Sequence, residues 1–293
     1  MCIRDSYTAG TNTAGKFDPE AASGFGPVNR ITTGLALSID GAGGNNARVN
    51  NSIAWLSPNW SGFTAQVQYA FGENGEQSAF AVGGAGGGSD DARMWGLGLD
   101  YTNGPLAVGF AWNDWSNYGG TINTAGTPER EMTEWFLGAS YDFGMLKLLG
   151  SYQDFDMDNM ILAAGQCATG SAAAGCVAAP ALGASSSGDI WSLGVVVPVF
   201  KVGAITLSYA SLDRQTRAGA AAAKLGADAD GWAITYKHNL SKRTTAYVGY
   251  TTLDNDNKTN IAGTSLSIGA GNIAALAVGK DSSGFGMGVR HTF

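Results

Sequence analysis

The chain has 293 residues with 44 Gly, 8 Trp, 10 Tyr and 12 Phe, but only 14% charged residues and a net charge of −7. That aromatic content excludes a disordered chain, and the acidic balance argues against nucleic acid, whose phosphates need clustered Lys and Arg. No stretch approaches 18 consecutive apolar residues, which excludes a membrane-spanning helix; a membrane β-barrel passes that test, because its lipid-facing and lumen-facing residues alternate and average out.

Residues 1–6, Met1-Cys2-Ile3-Arg4-Asp5-Ser6, have neither the basic start nor the apolar run of a secretory signal, and they differ from the polar, Gly-rich stretch that follows. They are read as a non-native leader, with the native N-terminus expected to be missing and Tyr7 already inside a loop. From Arg48 onward the dominant pattern is strict alternation of large apolar with small or polar residues, in segments of about ten, the length a tilted strand needs to cross a bilayer. In the first segment, 48–56, Val49, Ile53 and Trp55 share one face and Arg48, Asn50 and Ser52 the other. Next, Phe63, Ala65, Val67, Tyr69 and Phe71 oppose Thr64, Gln66 and Gln68. Trp95, Leu97, Leu99 and Tyr101 then alternate with Gly96, Gly98 and Asp100, and Leu106, Val108, Phe110 and Trp112 with Ala107, Gly109 and Ala111.

Seven further segments follow, at 133–142, 145–154, 189–199, 203–211, 231–239, 243–252 and 284–293, making eleven predicted strands. Short turns at 57–60, 102–104, 142–144, 200–201 and 239–241 alternate with long connections at 73–92, 114–131, 155–188, 212–230 and 253–283. Segregation of short turns from long, low-complexity loops is a property of outer-membrane barrels that a soluble sandwich need not share. Trp95, Trp112, Trp135, Trp191 and Trp232 fall at the loop end of the apolar face, and Trp55, Phe63, Tyr101, Tyr141 and Phe293 at its turn end. Two aromatic girdles are therefore expected at the levels where amphipathic rings suit lipid headgroups.

Cys167 and Cys176 sit in an Ala/Gly/Ser-rich loop, where an oxidising envelope favours a loop-closing disulfide over two free thiols. His238 and His291 share outward parity at the turn end, on strands separated by a third, and are expected to be interfacial side chains rather than a metal pair. No strand–glycine loop–helix pattern supports a nucleotide site, and no cofactor motif is present.

Several stretches resemble the general diffusion porins of Gram-negative outer membranes, particularly the beta-proteobacterial type. They are Arg48-Val49-Asn50-Asn51-Ser52-Ile53 with Ser57-Pro58-Asn59-Trp60-Ser61-Gly62-Phe63; Tyr101-Thr102-Asn103-Gly104-Pro105-Leu106; Asn239-Leu240-Ser241-Lys242-Arg243-Thr244; and Gly288-Val289-Arg290-His291-Thr292-Phe293. The resemblance implies an all-β fold, a transmembrane antiparallel β-barrel of 16 strands in the intact family, of which about 11 C-terminal strands are present here. On that reading 48–293 is a partial barrel, and roughly 80 to 110 mature residues and the signal peptide precede it in the intact protein. An odd-numbered set of strands with two unpaired edges is not expected to seal a channel by itself. By the family's order, residues 7–47 correspond to the loop that folds inward and narrows the pore.

The implied function is a water-filled channel for passive diffusion of small hydrophilic solutes and ions, located in the outer membrane. Implied partners are outer-membrane lipid and lipopolysaccharide, two further copies in a homotrimer, and the barrel-assembly machinery. Phe293, with Phe285, Met287 and Val289 at alternating positions, resembles the C-terminal signal read by that machinery; the plainer reading is the last strand's lipid face, and both can hold. Arg48 matches a basic wall position of the family and has lumen parity; Asp18 and Glu20, flanking Pro19, resemble its acidic loop element. The opposing alternatives are a solvated rim Arg and ordinary loop carboxylates. Asn50, Gln66, Gln68, Asp100, Glu134, Lys147, Lys237 and Arg290 also have lumen parity. An enzyme carried on such a barrel would need a catalytic constellation at the outer rim, and the sequence offers none. A loop-displaying adhesin or receptor is compatible with the strand pattern alone, and stepwise conductance would separate it from a channel.

Overall fold

The computed structural model describes residues 14, 16, 17, 19, 25–28, 31, 52–71, 93–116, 131–162, 181–200, 202–217, 224–226, 228–255, 267, 268, 271, 272 and 281–292. Its strands are β1 (Ser52–Leu56), β2 (Phe63–Ala70), β3 (Arg93–Asn103), β4 (Leu106–Ser116), β5 (Glu131–Asp142), β6 (Lys147–Leu162) and β7 (Ala181–Val199). They continue with β8 (Gly203–Arg217), β9 (Lys224–Gly226), β10 (Ala229–Asn239), β11 (Thr244–Asn255), β12 (Ser267–Ile268), β13 (Gly271–Asn272) and β14 (Ser282–His291). Eleven of them form one antiparallel sheet in chain order, β1-β2-β3-β4-β5-β6-β7-β8-β10-β11-β14, with β9 added to β8 and β12 paired with β13. Nearest-neighbour antiparallel order lets each inner strand satisfy its backbone groups on the strands at either side, as hydrocarbon requires, while among the described strands β1 and β14 end the order and pair on one side.

The short turns are built for tight reversal. Between β1 and β2 the Asn59 side chain accepts from the Gly62 amide at 2.7 Å. Gly62 has φ 98°, and a Cβ there would run into the Thr102 carbonyl oxygen, so both backbone and space require glycine. Between β5 and β6, Asp142 Oδ1 accepts from the Gly144 amide at 2.7 Å, and Gly144 has φ 82°.

Between these turns and the long connections, the outer face is apolar and open. Trp95 is 51% exposed, Leu193 59% and Ile234 43%, which rules out a dry sandwich interior for that face. Aromatic rings meet on neighbouring strands at the loop end of this band: Tyr69 with Trp95 at 4.5 Å, Trp135 with Tyr152 at 5.3 Å, Trp191 with Tyr209 at 5.2 Å and Trp232 with Tyr250 at 5.5 Å. The Trp indoles and Tyr phenols of this loop-end girdle are rigid amphipathic anchors.

Loopward of the girdle the polarity of the sheet inverts. Outward positions become acidic: Asp114 on β4, Glu131 on β5, Asp154, Asp156 and Asp158 on β6, Asp189 on β7, Asp213 on β8, Asp230 on β10 and Asp254 on β11. Inward positions become apolar and buried: Met94, Trp115, Met132, Phe155, Met157, Ile190, Leu212 and Leu253 form one cluster with Val28 and Ile31. The strand period of 2 therefore continues past the bilayer while its apolar phase changes sides.

That inversion explains where the sequence-based boundaries fall short. β6 runs on to Leu162 and β7 starts at Ala181, inside the connection expected at 155–188; β8 runs on to Arg217. β9, β12 and β13 likewise lie in stretches expected to be solvated loops. A rule that equates apolar with outward stops at the girdle, because beyond it the apolar residues point in.

The bilayer band and the acidic belt respond differently to charge. Leu193→Arg, between the girdles, should reduce folding stability in phospholipid vesicles by up to about 2–4 kcal/mol, whereas Asp213→Ala, above them, should change it by less than about 1 kcal/mol. Urea titration of vesicle-folded protein measures both.

Candidate functional site

The inner face of the sheet carries most of the polar side chains that the strands bury. On β7, β8, β10 and β11 they are small: Ser192, Thr206, Ser208, Thr235 and Thr251 are all buried. Ser192 Oγ lies 2.6 Å from Ser151 Oγ on β6, its register partner, and Thr251 Oγ1 donates to the Trp232 carbonyl at 3.3 Å. On β2 and β4 to β6 they are larger. Gln66 and Gln68 share the inner face of β2, and Gln68 Nε2 donates to Ser52 Oγ at 3.0 Å.

Glu134 is the centre of the larger group, with no solvent exposure. Its two carboxylate oxygens accept from Gln153 Nε2 at 3.1 Å and Asn113 Nδ2 at 3.4 Å, from the strands on either side. A buried carboxylate needs such donors, since desolvation without them costs several kcal/mol. Parity singles out Glu134 in the sequence but not Asn113 and Gln153. The signal for them is the same alternation, since both share the parity of Glu134 on the flanking strands.

A separate part of the chain crosses this face. Phe17 packs on Phe136 with ring centroids 6.1 Å apart, and Ala14 joins the same buried cluster with Ala111. Lys16 Nζ meets Asp100 Oδ2 of β3 at 2.8 Å. Pro19 lies over Gly194 of β7, and its carbonyl accepts from Lys237 Nζ of β10 at 3.4 Å. Phe25 lies over Gly249 of β11 and meets Tyr247 edge-on at 6.3 Å, while Val28 and Ile31 enter the apolar cluster at the loop end. The described residues of 14–31 thus run from β3–β5 to β10–β11.

Of the expected inner-face residues, Asp100, Lys237 and Glu134 take part in these contacts. Lys147 is half-buried at the turn end of β6, opposite Asp142, and lines a cleft of about 420 Å³ with Thr102, Pro105 and Ser140. Arg290 is exposed on β14 opposite Thr245, away from the others. Arg48, Asp18, Glu20, Asn50, Phe293, Cys167 and Cys176 lie outside the described residues. His238 and His291 are engaged separately: His238 Nδ1 lies 2.7 Å from the Tyr236 hydroxyl and His291 Nδ1 2.9 Å from Thr244 Oγ1. Among the described residues no three His, Cys, Asp or Glu side chains are placed to share a metal ion.

An apolar, girdled outer face around a polar inner face crossed by its own chain defines a transmembrane β-barrel of the outer-membrane kind. Residues 5–258 match the Gram-negative porin family, and the chain belongs to it. It is 29% identical over 278 residues to outer membrane porin protein 32 of Delftia acidovorans, covering 94% of this chain and 65% of that one. Among solved structures it is similar to the anion-selective porin from Comamonas acidovorans, with TM-score 0.60, 26% identity, and coverage of 92% of this chain and 66% of that chain. The fold is shared with OmpT of Vibrio cholerae in its trimer form, with TM-score 0.60, 14% identity and coverage of 97% and 74%. The chain therefore spans just under two thirds of the length of its Delftia and Comamonas relatives. These relatives place the protein in the outer membrane.

The Glu134 group sets a stability expectation. Glu134→Ala strands two buried amide donors and should lower stability by about 1–3 kcal/mol, while Glu134→Gln, which keeps one acceptor oxygen, should cost less. Denaturant titration in detergent micelles compares them.

Proposed function

We propose that this protein is a channel through which small hydrophilic solutes and ions cross the outer membrane by passive diffusion, without catalysis or a bound cofactor. The observation that carries this reading is the polarity of the sheet: large apolar side chains face out, while hydroxyl, amide and charged groups line a face crossed by the described residues of 14–31. That is the arrangement of a wall between lipid and water.

In this reading residues 7–47 are the constriction element and 48–293 the barrel wall. Arg48 precedes β1 with the parity of its inward residues, and Asp18 and Glu20 flank Pro19, which lies over the inner wall at Gly194. Opposite charges on wall and segment would set up a transverse field that orders water and sorts solutes by sign and size. Asn50, Asp100, Lys147, Lys237 and Arg290 complete the lining, and Gln66, Gln68 and Glu134 share its parity but are buried in the inner wall. The channel works as a homotrimer among outer-membrane lipid and lipopolysaccharide, placed there by the barrel-assembly machinery acting on a last strand that ends in Phe293. A Cys167–Cys176 disulfide closes one outer loop.

Expressed from its complete reading frame and reconstituted in planar bilayers, the protein should give stepwise conductance. Arg48→Glu should move the reversal potential toward cation preference, and Asp18→Asn with Glu20→Gln toward anion preference. A folded protein that leaves the bilayer silent would exclude a channel and favour a loop-displaying adhesin.

A further inference from the structure

The contacts of residues 14–31 are uneven. At two of these contacts the segment lies over a wall glycine more closely than a Cβ would allow. A Cβ placed on Gly138 of β5 would lie 2.5 Å from two Phe17 ring carbons, and one on Gly194 of β7 would lie 2.8 Å from Pro19 Cγ. On Gly249 of β11 it would lie 3.1 Å from the Phe25 ring but nearer still, 2.8 Å, to Thr235 Cγ2 of the neighbouring strand, so that glycine serves the sheet first. Real Cβ atoms do not approach carbon to 2.5–2.8 Å, so alanine at Gly194 forces Pro19 to move, and alanine at Gly138 forces Phe17 to move together with Phe136, whose Cε1 would lie at 2.8 Å. The sheet cannot yield instead, because each of these strands is paired on both sides. Gly231 is like Gly249: its nearest neighbour is the Thr252 backbone oxygen at 2.6 Å, with Pro27 Cβ at 3.2 Å, so glycine there also serves the sheet first.

We propose that the wall glycines Gly138 and Gly194 determine the aperture of the channel, by setting how deeply Phe17 and Pro19 seat against the barrel. Lys237 is a positioning residue in the same arrangement. Its ammonium reaches from β10 to the Pro19 carbonyl and holds the segment down at the point where Gly194 makes room for it. The glycines set the depth of the seat, and the lysine holds the segment in it. The inference rests on the channel reading, but the seating can be measured without conductance.

The test uses Gly138→Ala and Gly194→Ala in protein expressed from its complete reading frame, with Gly150→Ala as control. A Cβ at Gly150 meets nothing closer than Leu193 Cδ2 at 3.5 Å, an ordinary contact. The first readout is protection of residues 14–31 from protease in the folded protein, with cleavage mapped by mass spectrometry and strand content checked by circular dichroism. Gly138→Ala and Gly194→Ala should expose the segment, Lys237→Met should do so to a smaller degree, and Gly150→Ala should not. Adding Phe17→Ala should restore the spacing that Gly138→Ala removes. The second readout is single-channel conductance. It should fall by roughly a third to a half in each glycine variant, because conductance limited at one narrowing follows its free cross-section, and it should rise in Phe17→Ala. Wild-type protection and wild-type conductance in both glycine variants, with strand content intact, would overturn the proposal. Altered protection in protein that never conducts would uphold the seating and refute the channel reading instead.

Discussion

Backbone polarity in hydrocarbon is the constraint from which the rest of this architecture follows. A strand in a bilayer cannot leave its amides and carbonyls to water, so each must be paired with a neighbour, and in the eleven-strand sheet every strand between β1 and β14 is paired on both sides in chain order. Once lateral pairing is imposed, the side chains have only two destinations. Those of one parity meet lipid and are large and apolar, as Leu137, Leu193, Leu207 and Ile234 are; those of the other are free to be polar, as Gln153, Thr206 and Thr235 are. A soluble fold hides its apolar parity. Here the exposed parity is apolar and the concealed one holds a carboxylate, Glu134, with no solvent exposure.

The same constraint lapses where the strands leave the bilayer, and the residues record the point. On β6, Tyr152 belongs to the girdle, and Asp154, Asp156 and Asp158 continue its outward parity as carboxylates, while Phe155 and Met157 turn inward and are buried. Asp154, Asp189 and Asp213 are direct cross-strand partners on β6, β7 and β8. Like charges directly opposite one another oppose pairing. Three in a row are tolerated because they face water and because the inward side of the same strands is tied by the cluster around Phe155, Ile190 and Leu212. Above the membrane the protein is an ordinary water-facing sheet with an apolar interior, and Val28 and Ile31 help to fill it.

How much of this was legible in the sequence depended on whether the signal was local. Period-2 alternation identified all eleven strands of the main sheet and their outward rings, because parity and girdle position can be read within ten residues. Strand ends beyond the girdle were not legible by the same rule, since residues such as Met132 and Leu212 carry apolar character on the face assumed to be polar. In the inner face, parity singled out Glu134, Asp100 and Lys237 but could not supply their partners. Asn113 and Gln153 reach Glu134 from strands on either side, Lys16 reaches Asp100 across 84 positions of chain, and Lys237 reaches Pro19 across 218. The first two pairings follow from strand register, but the last two depend on where a segment with no periodicity of its own crosses a sheet, which no window of sequence contains.

The glycines show why that crossing is possible at all. In a strand, glycine costs conformational entropy and contributes no packing, so its presence in a wall invites a reason. The lipid side offers none at Gly138 and Gly194, which have inward parity. What the segment sets against them is the ring of Phe17, beside Phe136 of the wall, and the ring of Pro19, side chains of fixed shape with little rotamer freedom to lose on seating. A flexible segment laid across a smooth polar wall would have many positions of similar energy. Rigid rings set over gaps in that wall have few, and a charge-assisted hydrogen bond from Lys237 at the second gap reduces them further. A segment held in this way keeps a defined distance from the wall, set by packing of its rings over the gaps.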